Sequence, residues 1–282
     1  TNYYTDDGIN YYYQNVWIQM SGKHMDIFNN ILSNKKRMGN MISVVRTIEG
    51  INLENNHRIH NNYFKNFIRD FDDGSIVNGY ETIRLGTGLM AQEGESNIQV
   101  YDNLFEKCNG EIEIISVKCK NVNLSNNTFL SCEGYLTLRN AGECNVENNV
   151  FLIKTGNRAG GIRILGENHT ISNNYISGVP NTSSISVGIW IQAGIGTSRR
   201  TAKNIRISNN TLYNNYKNIY IGDPNYRDEI SNNIELTNNI IYTTIDNSSV
   251  LHFDSIPTNI SFNDNLFNGP LITYRETIHN DN

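Results

Sequence analysis

Two glutamates two residues apart, Glu111 and Glu113, lie in the segment GEIEIISVK. Hydrophobic residues alternate with them, as in a β-strand with one buried side, so we expect both carboxylates to point outward from the same side. Two neighbouring carboxylates repel each other unless a cation lies between them, and Ca²⁺ prefers oxygen ligands. The segment therefore favours a calcium site, although a solvated acidic strand flanked by Arg84 and Arg163 would show the same pattern.

A lysine and an arginine lie close enough to act on a substrate bound near such a site. Lys118 follows Glu113 in the same segment, and Arg139 lies in the next segment of similar pattern, YLTLR. Lys118 has the opposite parity to the glutamates, so it shares their face only if the chain bends or bulges around residues 115–117. On spacing alone, both side chains are better explained as solvated surface charges.

Short segments in which every other residue is hydrophobic recur along the chain and would position these side chains. Stacked in register, they place arginines and aromatic rings on one outer face, with Tyr135 at its edge. Guanidinium groups pair with carboxylates and aromatic rings stack on pyranose rings, so we expect this face to bind an acidic sugar chain. The predicted outward column reads, in chain order, Arg84, Glu113, Thr137, Arg163, Trp190 and Tyr220.

A repeated asparagine pair indicates the fold class. Copies such as LSNNTF, VENNVF and ISNNTL recur every 22 to 41 residues, and each follows an alternating strand. Asparagine tolerates the left-handed backbone of a tight corner, and stacked copies can hydrogen-bond to one another. The second asparagines of the pairs are Asn30, Asn62, Asn103, Asn127, Asn149, Asn174, Asn210, Asn239 and Asn265.

Two short strands in 22–25 residues leave no room for a crossover helix, so the repeat predicts an all-β solenoid. The Leu-x-x-Leu-x-Leu spacing of leucine-rich repeats is absent. We therefore predict a right-handed parallel β-helix with asparagine-ladder turns, a single domain over residues 1–282. The longest steps, Asn62 to Asn103 and Asn174 to Asn210, would contain inserted loops that build a binding cleft.

Composition limits the classes of partner that this protein could bind. The net charge of −5 disfavours nucleic acid, and no hydrophobic run reaches the length of a membrane span. The first residues, TNYYTDDGIN, do not resemble a signal peptide, so a location must be inferred from function.

The four cysteines form two pairs in the sequence, Cys108 with Cys132 and Cys119 with Cys144, and the members of each pair are about one coil apart. This spacing favours reduced cysteines in the core over a metal site or disulfides.

Four segments carry motifs in a fixed order: NGYETIRLGTG (Asn78–Gly88), YDNLFEKCNGEIEIISVKC (Tyr101–Cys119), NNTFLSCEGYLTLRNAGECNVENNVF (Asn126–Phe151) and GGIRILGENHTISNNYISG (Gly160–Gly178). Together they resemble polysaccharide lyase family six, which contains alginate lyases and the dermatan-sulfate-cleaving chondroitinase B. The resemblance covers about residues 15–240. The segment GGIRILGE favours the alginate lyase branch.

The resemblance implies a metal site and a catalytic pair. Asn78 matches an amide ligand of Ca²⁺, and Glu111 and Glu113 match its two carboxylate ligands. Lys118 matches the Brønsted base and Arg139 the Brønsted acid of β-elimination, in which C5 of a uronate loses a proton and the C4 oxygen departs. By the same resemblance, Arg163 binds a substrate carboxylate.

Two departures from the family pattern qualify these expectations. The usual LTLRHG reads LTLRNA here, so Asn140 replaces a histidine that contacts substrate. Family members also have a longer N-terminal part, including a cap on the first coils, and the resemblance begins only after that part, so we expect residues 1–282 to contain neither the cap nor the first coils.

The expected function is therefore a lyase of an acidic uronate polymer, alginate first, in a secreted or periplasmic protein. Three other functions stay open from the sequence: a dermatan sulfate or chondroitin lyase, a uronan C5-epimerase, and a non-catalytic carbohydrate-binding β-helix of the tail-fibre or adhesin type. The epimerase would share the proton abstraction without elimination. The binding protein would need neither Lys118 nor the two glutamates.

Overall fold

The computed structural model describes residues 15–46, 54–69, 78–86, 94–154, 156, 158–194, 200–223, 229–270 and 272–274. Over these residues the chain winds into successive coils, and each strand pairs in parallel with the equivalent strand one coil on. No helix occurs in the described ranges, and so none there could cross a membrane. The predicted right-handed parallel β-helix is confirmed, whereas the extent of one domain over residues 1–282 stays a prediction.

Three columns of strands form the sides of the β-helix. The first contains β1 (Ile18–Met20), β4 (Ile42–Val44), β7 (Ile83–Leu85), β10 (Glu113–Val117), β13 (Tyr135–Gly142), β16 (Ile162–Ser172), β18 (Ile189–Ile191), β21 (Lys217–Ile221), β24 (Ser249–Phe253) and β27 (Ile272–Tyr274). The second contains β2 (Asp26–Phe28), β5 (Arg58–His60), β8 (Glu95–Tyr101), β11 (Lys120–Ser125), β14 (Asn145–Glu147), the end of β16, β19 (Lys203–Ser208), β22 (Asn232–Thr237) and β25 (Ile260–Asn263). The third contains β3 (Ile31–Ser33), β6 (Tyr63–Phe67), β9 (Leu104–Cys108), β12 (Thr128–Leu130), β15 (Val150–Leu152), β17 (Tyr175–Ser177), β20 (Thr211–Tyr213), β23 (Ile240–Tyr242) and β26 (Leu266–Asn268).

The two asparagines of each repeat have different tasks at the corner between the second and third columns. The first takes the left-handed conformation, with φ of 57° at both Asn126 and Asn148. The second is buried and belongs to the ladder: Asn127 Nδ2 donates to Asn149 Oδ1 at 3.1 Å, and Asn149 Nδ2 donates to Asn174 Oδ1 at 3.0 Å. The same bonds connect all nine ladder asparagines, so the predicted ladder is confirmed.

Hydrophobic side chains fill the interior in stacked columns. Phe64, Phe105, Phe129 and Phe151 stack face to face with ring centroids 4.4–4.8 Å apart. The four cysteines are buried and reduced, as predicted. Since stacked side chains bury the same surface in every coil, the core holds the first column of strands in a fixed register, and that column carries the candidate catalytic residues.

We expect Asn149→Ala to lower the free energy of unfolding by about 3 kcal/mol, because it leaves several buried polar groups without partners. The Asn127 backbone N–H loses its acceptor, and the Leu124 carbonyl loses the Asn149 donor. Urea unfolding followed by circular dichroism measures the change. Asn145→Ala, at an exposed position of β14, is the control, and an equal loss in both variants would contradict a ladder role.

Candidate active site

A bulge in β10 sets the geometry of the site. The pairing of β10 with β13 shifts register between Glu113 and Ile115, so Ile115 and Val117 point inward. The predicted register, with Ile112 and Ile114 in line with Ile83 and Leu85, is therefore wrong, although Ile114 is still buried in the core. As a consequence Ser116, and not Glu113, occupies the column between Arg84 and Thr137.

The same bulge brings Lys118 to the glutamates. A bulge or bend was predicted to be necessary for this, and it lies just before residues 115–117. Beyond it the Lys118 ammonium is 3.3 Å from Glu81 Oε1, and its side chain is only 14% exposed. Since Val117 pairs with Leu138, Lys118 and Arg139 follow each other at equivalent positions of neighbouring strands.

Three carboxylates meet beside this pair. Oxygen atoms of Glu81, Glu111 and Glu113 all lie within 4.8 Å of one another, and all three residues are buried. We call these residues the carboxylate cluster. The predicted exposed position of Glu111 and Glu113 is wrong, because loops and neighbouring strands cover them. Asn78, the predicted amide ligand, is exposed three residues before Glu81, and its role as a ligand stays a prediction.

Sequence reasoning did not identify Glu81. It precedes the hydrophobic alternation of β7 by two residues, so no strand pattern marks its side chain. The available signal was its place in NGYETIRLG, the segment that also contains Asn78.

The two predicted carboxylate ligands differ in electrostatic environment. Burial, with the charges of Glu81 and Glu113, raises the pKa of Glu111 to about 8. Burial also disfavours the charged form of Glu113, but Arg139 and Arg163 outweigh it and hold the pKa of Glu113 below its ordinary value. Within the cluster, the charge of Glu113 is thus neutralised by arginines, whereas Glu111 is repelled by the other two carboxylates.

Two arginines converge on Glu113. Nη1 of Arg139 lies 3.0 Å from Glu113 Oε1, and Nη1 of Arg163 lies 3.4 Å from the same oxygen. The Arg139 side chain is 29% exposed, whereas that of Arg163 is 5% exposed. Arg139 can therefore reach a bound substrate, whereas the predicted outward exposure of Arg163 is wrong and its predicted substrate contact stays a prediction.

The predicted aromatic platform is also buried. Tyr135, Trp190 and Tyr220 pack together under Val187 and are at most 4% exposed. The Tyr135 hydroxyl donates to the Ile185 carbonyl, and the indole N–H of Trp190 donates to a backbone carbonyl at 2.8 Å. The predicted exposure of these rings is therefore wrong, because the segment before β18 folds over them, and their contact with a sugar chain stays a prediction.

Trp190→Ala should accordingly lower stability without changing preference for chain length. Truncating a buried tryptophan costs about 3–5 kcal/mol. We expect a lower melting temperature and the same ratio of kcat/KM between polymer and trisaccharide as in the parent protein. Trp17→Ala, at a position that is 41% exposed, is the stability control. A selective loss on the polymer would restore a substrate-binding role for Trp190.

Arg84 and Asn140, two further predicted substrate contacts, differ in exposure and in their hydrogen bonds. Arg84 is partly exposed, its Nη2 donates to Ser43 Oγ at 3.0 Å, and its predicted substrate contact stays a prediction. Asn140 is 7% exposed with φ of 58°, and its Oδ1 accepts the Arg200 backbone N–H at 2.8 Å. This oxygen thus holds a neighbouring segment, and the predicted substrate contact of Asn140 stays a prediction.

A small cavity adjoins Glu111. Its volume is about 80 Å³. The sequence patterns did not single out its two arginines. It is lined by Ile68, Arg69, Asn109, Glu111, Glu133 and Arg158.

The site therefore combines a partly exposed lysine and arginine with a buried carboxylate cluster on one side of a parallel β-helix. A lysine can accept a proton, and an arginine can stabilise a developing negative charge, so the arrangement suits proton abstraction from an acidic substrate. These are the features of a β-helical polysaccharide lyase.

Comparison with known proteins agrees with that class. The family model described as chondroitinase B matches residues 5–278, and the chain belongs to this family. The predicted membership in polysaccharide lyase family six is thereby confirmed.

Solved structures of the same family are similar over nearly the whole chain. A PL6 alginate lyase in complex with a trisaccharide matches at 24% identity and a TM-score of 0.77, over 97% of this chain and 64% of its own. The PL6 alginate lyase AlyGC matches at 28% identity and 0.76, over 94% and 37%. A mannuronic acid specific family 6 lyase from human gut microbiota matches at 26% and 0.69, over 88% and 53%. The chain thus spans less than two thirds of the length of each.

Proposed function

We propose that this protein is a polysaccharide lyase that cleaves alginate by β-elimination. The observation that carries the proposal is the placement of Lys118 and Arg139 at equivalent positions of neighbouring strands, next to the carboxylate cluster. The solved relatives include an alginate lyase bound to a trisaccharide, which supports an acidic polysaccharide as the partner. A lyase of an extracellular polymer must reach it outside the cytoplasm, so we also propose a secreted or periplasmic location.

In the proposed reaction Lys118 Nζ takes the proton from C5 of a uronate. The electrons of the C5–H bond form the C4–C5 double bond, and the C4–O bond breaks. Arg139 faces the departing oxygen. Burial lowers the pKa of Arg139, but Glu113 outweighs this and raises it above the ordinary value. Arg139 therefore stays charged and stabilises the oxygen anion while water supplies its proton.

The carboxylate cluster fits a divalent cation. Three buried carboxylates within 4.8 Å offer the oxygen ligands that Ca²⁺ prefers. Burial and the charges of Glu81 and Glu113 raise the pKa of Glu111, and a cation among the three would offset both effects. We propose that Glu81, Glu111 and Glu113, with Asn78, hold Ca²⁺. When bound, the cation would neutralise the uronate carboxylate and so ease loss of the neighbouring proton.

Calcium should stabilise the protein more at about pH 9 than at about pH 5. The pKa of Glu111 rises from 4.5 to about 8 on folding. Without metal, the proton on Glu111 therefore stabilises the fold at low pH, and this stabilisation is lost as the pH rises through about 8. A cation that takes the place of the proton restores the lost stability at high pH, whereas at about pH 5 the proton competes with the cation. Melting temperatures with calcium and with chelator measure the effect, and Glu111→Gln is the control. An equal calcium effect at both pH values would contradict the assignment.

A panel of polymers tests the substrate class. The protein is incubated with mannuronate-rich alginate, guluronate-rich alginate and dermatan sulfate, and new unsaturated ends are measured by ultraviolet absorbance. We expect signal from alginate. Signal from dermatan sulfate alone would assign the chondroitinase B activity instead, and tight binding of alginate without signal would indicate a non-catalytic carbohydrate-binding protein.

A further inference from the structure

Arg163 is a buried cation that contacts both Glu113 and Gln192. Its Nη1 is 3.4 Å from Glu113 Oε1, and its Nε donates to Gln192 Oε1 at 2.7 Å. The guanidinium also lies over the Trp190 ring, 5.2 Å from the centroid. A buried charge is costly unless its donors have acceptors, so the Gln192 oxygen holds the guanidinium in place as well as Glu113 does.

The orientation of the Gln192 amide is in turn fixed by a second buried acid. Gln192 Nε2 donates to Asp223 Oδ2, and Asp223 is 2% exposed. A carboxylate only accepts and a guanidinium only donates, so the opposite orientation of the amide would place like groups against each other on both sides. Asp223 thus directs the Gln192 oxygen towards Arg163.

We propose that Gln192 and Asp223 are positioning residues of the active site. They form a hydrogen-bonded chain, from Asp223 through Gln192 and Arg163 to Glu113, with each member on a different coil. Asp223 follows β21, and Gln192 follows β18. The proposal rests on the proposed function for its effect on turnover, but the arrangement of the chain can be tested without turnover.

The hydrogen-bonded chain has a consequence for Arg139. Arg139 and Arg163 both contact Oε1 of Glu113, but Arg139 is the more exposed and is the one that faces substrate. When Arg139 turns towards the departing oxygen, Arg163 keeps Glu113 paired and in place. Loss of Gln192 or Asp223 should therefore reduce turnover more than substrate binding.

The kinetic test compares two replacements of one residue. Asp223→Leu removes the acceptor and should lower kcat about tenfold or more with little change in KM, as loss of supporting hydrogen bonds around a site commonly does. Asp223→Asn retains an acceptor oxygen and should keep most of the parent's kcat. Gln192→Leu should match Asp223→Leu. A merely structural role would not separate the leucine and asparagine variants at equal melting temperature.

Asp254→Leu is the matched control, because Asp254 is a buried acid on the next coil whose hydrogen bond comes from Tyr220. We expect it to lower the melting temperature like Asp223→Leu but to leave kcat unchanged. The proposal is overturned if Asp223→Leu and Asp254→Leu both lower kcat in proportion to the stability that they lose. It is also overturned if Gln192→Leu and Asp223→Leu retain the parental kcat.

A crystal structure of Asp223→Leu tests whether Asp223 and Gln192 position Arg163, and it does so without a measurement of activity. The test therefore holds even if the parent protein shows no lyase activity. We expect the Gln192 amide to turn and Arg163 Nη1 to move beyond hydrogen-bonding distance of Glu113. An unchanged Arg163 would overturn the proposal, while leaving the proposed lyase function untouched.

Discussion

Lys118→Ala is expected to lower kcat on alginate by about a thousandfold, because the variant loses the group that accepts the C5 proton. The side chain contacts Glu81 at the surface of the cluster and not the hydrophobic core, so the melting temperature should change little. Initial rates of double-bond formation, measured with calcium in excess, give the result.

Lys120→Ala is the matched control for this variant. Lys120 lies two residues further on, is more exposed, and pairs with Glu143 at 2.9 Å on another side of the β-helix. It should behave like the parent protein. If Lys118→Ala stays within tenfold of the parent, Lys118 is not the base. If it unfolds at a much lower temperature, its role is structural.

Glu113→Gln is the second variant with a large expected effect. It removes the charge that pairs with Arg139 and Arg163, and it removes one proposed ligand of Ca²⁺. Breaking a buried ion pair costs about 3–5 kcal/mol, so the melting temperature should fall. We expect kcat/KM to fall by about a hundredfold, with a higher calcium requirement.

Glu235→Gln, which breaks the exposed pair with Arg206, is the control for loss of a glutamate–arginine contact. It should leave both activity and melting temperature near those of the parent. An unchanged calcium requirement in Glu113→Gln would remove this residue from the metal site, and unchanged activity would contradict its place at the centre of the site.

The fold could be predicted from the sequence because its determinants are local and repeated. The asparagine pairs combine a left-handed residue such as Asn148 with a ladder residue such as Asn149, and both requirements recur in every coil. Strand alternation then determines which residues face the core. The proximity of Glu111 and Glu113 follows from the same local pattern, whereas that of Lys118 was implied by the family resemblance and depends on the bulge in β10.

The register of β10 could not be predicted from alternation. The segment EIEIISV offers two interior pairs, Ile112 with Ile114 and Ile115 with Val117, and both satisfy the pattern. Pairing with the neighbouring strands selects the second pair and produces the bulge. A three-residue difference in register therefore decided which residue joined the outward column, because an odd shift exchanges the inward and outward positions.

Burial of the outer face depends on contacts between residues distant in sequence. Tyr135 and Ile185 are 50 residues apart, and their hydrogen bond belongs to the cover over Trp190. Glu81 joins the carboxylate cluster from a different coil than the other two glutamates. No local periodicity reports such contacts, so the rings were wrongly predicted to be exposed and Glu81 was missed.

The most direct test of the central claim is the structure of the product formed from alginate. The parent protein, with calcium, is incubated with alginate, and the oligosaccharides are analysed by ultraviolet absorbance and mass spectrometry. Elimination predicts conjugated unsaturated ends, with each unsaturated fragment lighter by one water than the corresponding hydrolysis product, and none of these ends with Lys118→Ala. Saturated fragments, or intact polymer under conditions in which the protein is folded and calcium is bound, would contradict the account.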